Sequence, residues 1–269
     1  MDGTVTVNKA LQRSRGEAGL GFRDGDLARL HQRGAAKALL PRTHSSTHEA
    51  VLVNTAGGIT GGDRYDYQCE AAASRVVVTT QAAERAYRSS TDDIAGMDVR
   101  LAARRGAALH WLPQETILFD HGALDRTLTV EMTADSRLLA VESLILGRSA
   151  MGETLTNTHL RDRIRIRRDD DLIFADTLRL DSDTLADLPG TAMLNGAGAM
   201  ASVLFAAPEA EAHLPPLRDL MPDTGGVSLI RPGLLFARIL ASDGFVLRQS
   251  LIPVLTHLNG ANLPRTWMI

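Results

Sequence analysis

Apolar and polar positions alternate with a period of two along much of the chain from about residue 19 to about residue 180. Met97, Val99 and Leu101 alternate with Asp98 and Arg100, and Leu124, Arg126, Leu128, Val130 and Met132 share one phase against Thr127, Thr129 and Glu131. That period places alternate side chains on opposite faces and predicts strands with one buried face. Residues 50–54, 64–70, 107–112, 116–119, 138–146, 160–166 and 172–180 give further strand candidates, and 75–80 (RVVVTT) is rich in β-branched residues that suit a pleated surface. Turn signals divide these runs: Gly61-Gly62-Asp63, Arg105-Gly106, His121-Gly122, Ala134-Asp135 and Asp169-Asp170-Asp171. Many short strands at regular spacing predict an all-β sandwich, barrel or solenoid rather than alternating βαβ units. No exact internal repeat is visible, so the solenoid alternative rests on spacing.

The last third changes character. Residues 200–206 and 234–240 are strand candidates, and 208–220 is a predicted helix with Glu209 and Glu211 in its first turn. Pro215 and Pro216 would shorten or split it. Ser242 or Asp243 can cap a second helix with the apolar stripe Phe245, Leu247, Leu251, Leu255 and Leu258, ended by Gly260. The resulting division is a flexible leader at 1–18, a single domain at 19–260 and a tail at 261–269. Trp267 in the tail is open to two readings, an interface anchor or part of a flexible end.

Composition narrows the function. The 269 residues carry a formal net charge of −3, whereas a dedicated nucleic-acid binder needs a concentrated basic face. The local basic run Arg161, Arg163, Arg165, Arg167 and Arg168 alternates with Ile164 and Ile166 and meets Asp169 to Asp171 at once, a solvated strand face ending in an acidic turn. The single cysteine, Cys69, has no internal disulfide partner and fits a reducing compartment. No apolar run approaches the roughly 20 residues of a membrane span, and the first residues lack a signal-peptide core, so a cytoplasmic location is expected.

Four segments hold the candidate chemistry. In Asn54-Thr55-Ala56-Gly57-Gly58-Ile59-Thr60-Gly61-Gly62-Asp63, two glycine pairs permit positive φ and close approach of another chain. The absence of Gly-Lys-Ser/Thr rules out a phosphate loop, and Asp63 either caps the turn or lines a polar passage. The second segment, 79–89, carries Thr80, Gln81, Glu84 and Arg85, which form an internal network or an interaction surface. In the third, 110–119, Trp111 is a core or interface anchor and Glu115 lies at a strand corner beside Pro113. In the fourth, Glu142 interrupts an apolar strand before Gly147-Arg148, and inside a core it must pair, with Arg148 as the expected partner.

Taken in order and spacing, NTAGGITGGD, TTQAAERAYRS, LPQETILF and ESLILGRSAMGE closely resemble the UreD (UreH) family of urease accessory proteins, over about residues 22–258. The resemblance implies a mainly β, β-helix-like body with about two α-helices towards the C-terminus. It further implies a non-catalytic nickel chaperone that binds the structural subunits of apo-urease and partners with UreF and, through it, UreG. No tightly bound cofactor is expected; nickel would be held only in transit. Of the eight histidines, His44 and His48 alone have suggestive spacing, without an HExxH order. A transit route instead suits carboxylates, amides and water, which release Ni²⁺ readily. Asp63, Glu142 and Glu115 are therefore the expected members of an internal polar path. Gly57, Gly58, Gly61, Gly62, Thr80, Gln81, Arg85, Trp111, Gly147 and Arg148 are the expected structural or docking residues. The alternative is a carbohydrate-active lyase or hydrolase on a β-solenoid with paired acids. An aromatic content of 4% leaves few rings for a sugar groove, and no GxSxG elbow is present.

Overall fold

A computed structural model describes residues 12–43, 45–148 and 151–268. The chain opens with β1 (Arg15–Arg23), β2 (Asp26–Gly34) and β3 (Ala36–Leu39). Next come β4 (Thr47–Asn54), β5 (Arg64–Ala72), β6 (Arg75–Thr80), β7 (Glu84–Ala86), β8 (Ala95–Arg104), β9 (Ala108–Leu112) and β10 (Thr116–Leu118). Then follow β11 (Ala123–Met132), β12 (Arg137–Leu146), β13 (His159–Arg168), β14 (Asp171–Leu180), α1 (Ser182–Asp187) and β15 (Ala199–Ala206). The chain finishes with α2 (Leu214–Leu220), β16 (Gly225–Arg231), β17 (Leu234–Ala241) and α3 (Gly244–Asn259).

From β4 to β13 the long strands go to alternate sheets, with the short β7 and β10 staying in the second. β5, β8, β11 and β13 run parallel in one sheet, with β1 parallel to β5 on one side and β14 antiparallel to β13 on the other. β4, β6, β9 and β12 run parallel in the second sheet, which continues through antiparallel β15, β17 and β16. Each coil thus lays one strand on each of two sheets, the β-helix-like body that the family resemblance implies and one of the alternatives the strand spacing left open. Parallel strands of this kind need crossovers, and here each sheet supplies the crossover of the other.

The two inward faces share one core, in which Leu20, Cys69, Leu101 and Val130 of one sheet meet Val78, Leu109, Leu138 and Leu204 of the other. The outward face of the second sheet is also apolar. Leu139, Val141, Val203, Phe205 and Ile239 there pack under Leu247, Leu251, Val254 and Leu255 of α3, so the sheet is covered on both faces where β12, β15 and β17 pass under that helix. The outward face of the first sheet is polar, and the arginine run of β13 lies there, ending in a turn with positive φ at Asp169 and Asp170.

Several sequence expectations are corrected. Strands begin at Arg15, so residues 15–18 of the expected leader belong to β1, while residues 1–11 lie outside the described part. The strands β1 to β3 precede the first run identified at residue 50. The prolines split the expected 208–220 helix into a 3-10 turn, Ala210–His213, and α2. A third helix, α1, is present as well. α3 is capped by Asp243, whose carboxylate accepts from the Val246 amide, and ends on left-handed Gly260. Phe245 leaves its apolar stripe, being 70% exposed. In the tail, Trp267 is buried and its indole N–H donates to the Leu112 carbonyl at 3.0 Å.

Candidate functional site

The coils are asymmetric at their two ends. Chain passing from the first sheet to the second turns tightly, at residues 73–74, 105–107 and 133–136. Chain passing back takes longer paths, at 55–63, 81–94, 113–122 and 147–158. Each of the four sequence motifs runs from the end of a strand of the second sheet into one of these longer turns, the fourth with Glu142 to Leu146 still in β12, and the turns stack as the coils do. Ile59 bridges Ala86, β7 pairs in parallel with β10, and β10 with the end of β12. The motifs, separated along the chain, are therefore neighbours at one end of the body.

The glycines make this stacking possible. Gly57 and Gly62 have φ of +78° and +87°, a left-handed conformation that costs glycine little. At Gly61 a Cβ would fall 2.1 Å from Ser89 Oγ and 2.2 Å from the Asp93 carbonyl. Gly147 closes the last turn with φ of +73°. Arg148 lies over the Phe119 ring at 4.5 Å, and Tyr87 meets the same ring edge-on.

A cavity of about 210 Å³ opens at this end. Gly57, Gly58, Thr80, Gln81, Glu84 and Arg85 line it together with the buried Tyr67, Trp111, Gln114, Thr116, Arg126 and Glu142. Glu84 accepts from Asn54 Nδ2 at 3.2 and 3.1 Å, and Asn54 in turn accepts from the Tyr65 hydroxyl at 2.7 Å. Burial raises the Glu84 carboxyl above the usual carboxylate range.

At the inner end three charges meet in the core. Arg126 holds Asp162 through two bonds, Nε to Oδ1 at 3.0 Å and Nη2 to Oδ2 at 2.5 Å, and donates to Thr116 Oγ1 at 2.9 Å. Glu142 Oε1 accepts from the Trp111 indole at 2.9 Å, while Oε2 lies 2.7 Å from Arg126 Nη1, out of line for a hydrogen bond. Arg126, Asp162 and Glu142 are all buried. Burial pushes the Glu142 carboxyl upward, and the Asp162 carboxylate adds to this against the pull of Arg126.

Glu142 also walls a second void, of about 10 Å³, with Asp162, Asp176, Ser202 and Arg238. Such a space holds about one water. Arg238 pairs with Asp176 at 3.0 Å. From mouth to far side the two voids present Glu84, Glu142, Asp162 and Asp176 against Arg85, Arg126 and Arg238, the last pair, Asp176 with Arg238, being half-exposed. Carboxylates outnumber guanidiniums in a medium where uncompensated charge is costly, so the row favours either bound protons or a cation.

The expected path residues separate. Glu142 lies at the centre of the row. Asp63 does not line it: its carboxylate accepts from the backbone amides of Ser14 (2.7 Å) and Thr60 (2.9 Å) and caps the glycine turn. Glu115 lies outside the cavity, paired with Arg248 of α3 at 3.4 Å. Arg148 is not the partner of Glu142; it binds Glu153, with Nε to Oε2 at 2.9 Å. His44 lies outside the described residues, and His48 instead bonds the Gly25 carbonyl at 2.6 Å. The sequence reading missed Glu84 as a lining group, and Arg126, Asp162, Asp176 and Arg238 altogether. A signal was present: Arg126 and Asp162 occupy the inward phase of their strands, among Leu124, Leu128, Leu160 and Ile164.

These features define a two-sheeted β-solenoid with an ion-paired interior and a motif-built mouth, with no cluster of three or more His, Cys, Asp or Glu placed to hold a metal among the described residues. The family model described as UreD urease accessory protein matches residues 14–268, and the chain belongs to that family. It is 48% identical over 244 residues to a urease accessory protein UreD of Ruegeria pomeroyi, covering 90% of this chain and 95% of that protein. A UreD of Ruegeria sp. (strain TM1040) is 47% identical over 99% of this chain and 94% of its own length. One from Rhizobium leguminosarum bv. viciae is 44% identical, with 98% of each chain covered. No helix among the described residues is long and apolar enough to cross a membrane.

Proposed function

We propose that the chain serves urease maturation as a non-catalytic cytoplasmic scaffold that passes nickel inward to the apo-urease active site, joined to urease on one side and to UreF, and through it UreG, on the other. The reading rests on membership of the accessory family and on one observation: Glu142 is buried where the two voids meet, with one guanidinium between it and Asp162. A buried acid that is short of positive charge accepts a proton or a divalent cation, and oxygen ligands release Ni²⁺ more readily than thiolates do.

Glu142→Gln keeps an acceptor for the Trp111 indole and removes the charge. With purified urease and accessory proteins, nickel incorporated into urease should fall several-fold while co-purification with urease and UreF stays unchanged. Glu115→Gln, outside the cavity, should leave nickel incorporation at the wild-type level. Wild-type incorporation by Glu142→Gln would make the passage wrong and the buried acid structural.

A further inference from the structure

His213 and His257 lie outside the interior row, on the helical layer that covers the second sheet. His213 ends the 3-10 turn Ala210–His213 at the N-cap position of α2, where its side chain makes no cap bond, and His257 is in the last turn of α3. Nδ1 of His213 is 3.1 Å from Nε2 of His257. The His213 ring is packed edge-on against buried Phe205 at 5.0 Å, so it is oriented by the core.

We infer that His213 and His257 form a site for a divalent first-row transition-metal ion of the Ni²⁺ or Zn²⁺ kind. An ion about 2.1 Å from two imidazole nitrogens sets them about 3.0 Å apart at a right angle and about 3.4 Å apart in a tetrahedron. The observed spacing lies between these values; the two nitrogens now share one proton, which the ion displaces, and the tetrahedral arrangement needs them to part by about 0.3 Å. Both nitrogens facing each other cannot carry protons at once. Burial lowers the proton affinity of His213, the neighbouring His257 lowers it further, and the nearby Glu209 opposes both. Glu209 is itself bonded to Arg137, which leaves the two imidazoles as the ligands and water for the remaining positions. Imidazole nitrogen suits these ions, and holding both rings on packed elements reduces the ordering cost of binding. The site is independent of the passage proposed above: it lies on the other side of the second sheet and shares no residue with it.

The test uses the full chain, stripped with chelator and titrated with Ni²⁺ and separately with Zn²⁺ by calorimetry. His213→Gln and His257→Gln should each remove one binding event or weaken it at least tenfold, with unchanged thermal melts, whereas Glu142→Gln should retain it. In the wild-type chain, saturating Ni²⁺ should protect these two rings, and not exposed His31, from a histidine-acylating reagent mapped by mass spectrometry. Equal metal binding by wild type and both histidine variants, or equal modification of the two rings with and without Ni²⁺, would overturn the site. Neither result bears on nickel delivery through Glu142, which is read in urease.

Discussion

His110 and Glu142 are both buried titratable groups, and burial gives them opposite effects on stability as pH changes. The His110 ring bonds Asn259 Oδ1 through Nδ1 at 2.6 Å, and burial holds it down to about 4. Above its ordinary value near 6.5 the ring is neutral in both folded and unfolded chains, and nothing is lost. As pH falls from there towards 4, the unfolded chain takes a proton that the folded chain refuses, at a cost of roughly 3 kcal/mol when complete. His110→Gln titrates in neither state. The stability advantage of wild type over this variant should therefore shrink between pH 7 and 4.5, as followed by thermal melts. A constant difference would show that the ring does not resist protonation. Glu142, raised above 4.5, acts in reverse: its contribution is full below 4.5 and is lost as pH rises through the raised value.

Among elements, the turns show how far the sequence could be read. The glycine pairs of 57–62 mark a turn, but two different demands underlie them. Gly57 needs only its positive φ, since nothing lies within 4 Å of a Cβ there. Gly61 has ordinary φ but no room, with the Asp93 backbone in the place of a side chain. Gly57→Ala should cost about 1 kcal/mol. Gly61→Ala must push two stacked turns apart and should cost more, about 1–3 kcal/mol. Denaturant midpoints rank the two, and an equal loss would mean that the turns are loosely stacked. Strands were legible where one face is buried over many residues, as in β8 and β11, whereas β3 alternates over only four residues and was missed. β2 was not legible, because every residue in it is exposed and no phase distinguishes its faces. The break in the 208–220 helix was readable because proline lacks an amide donor, whereas α1 offers only one buried residue, Leu185, and no apolar stripe.

For the whole molecule, what the sequence withheld is register. Arg126 and Asp162 are direct partners between neighbouring parallel strands, and Glu142 reaches them from the opposite sheet. The inward phase of each charge is visible along its own strand, but their meeting depends on how three coils align. The same alignment explains why Asp63 and Glu115, acids in equally unusual sequence surroundings, end outside the row. It also separates two roles for the interior, an ion-paired strut between sheets and a route for a cation. Val99 helps decide between them, because it lines the same cavity as Trp111 and Glu142 and carries no charge. Val99→Phe would place extra carbon in a space of about 210 Å³ and leave every ion pair intact. Overpacking should cost about 1–3 kcal/mol, within reach of a folded domain. If the interior is a route, this plug should lower nickel incorporation much as Glu142→Gln does, with urease and UreF still co-purifying. If the charges serve only to join the sheets, a well-folded Val99→Phe chain should load urease as wild type does.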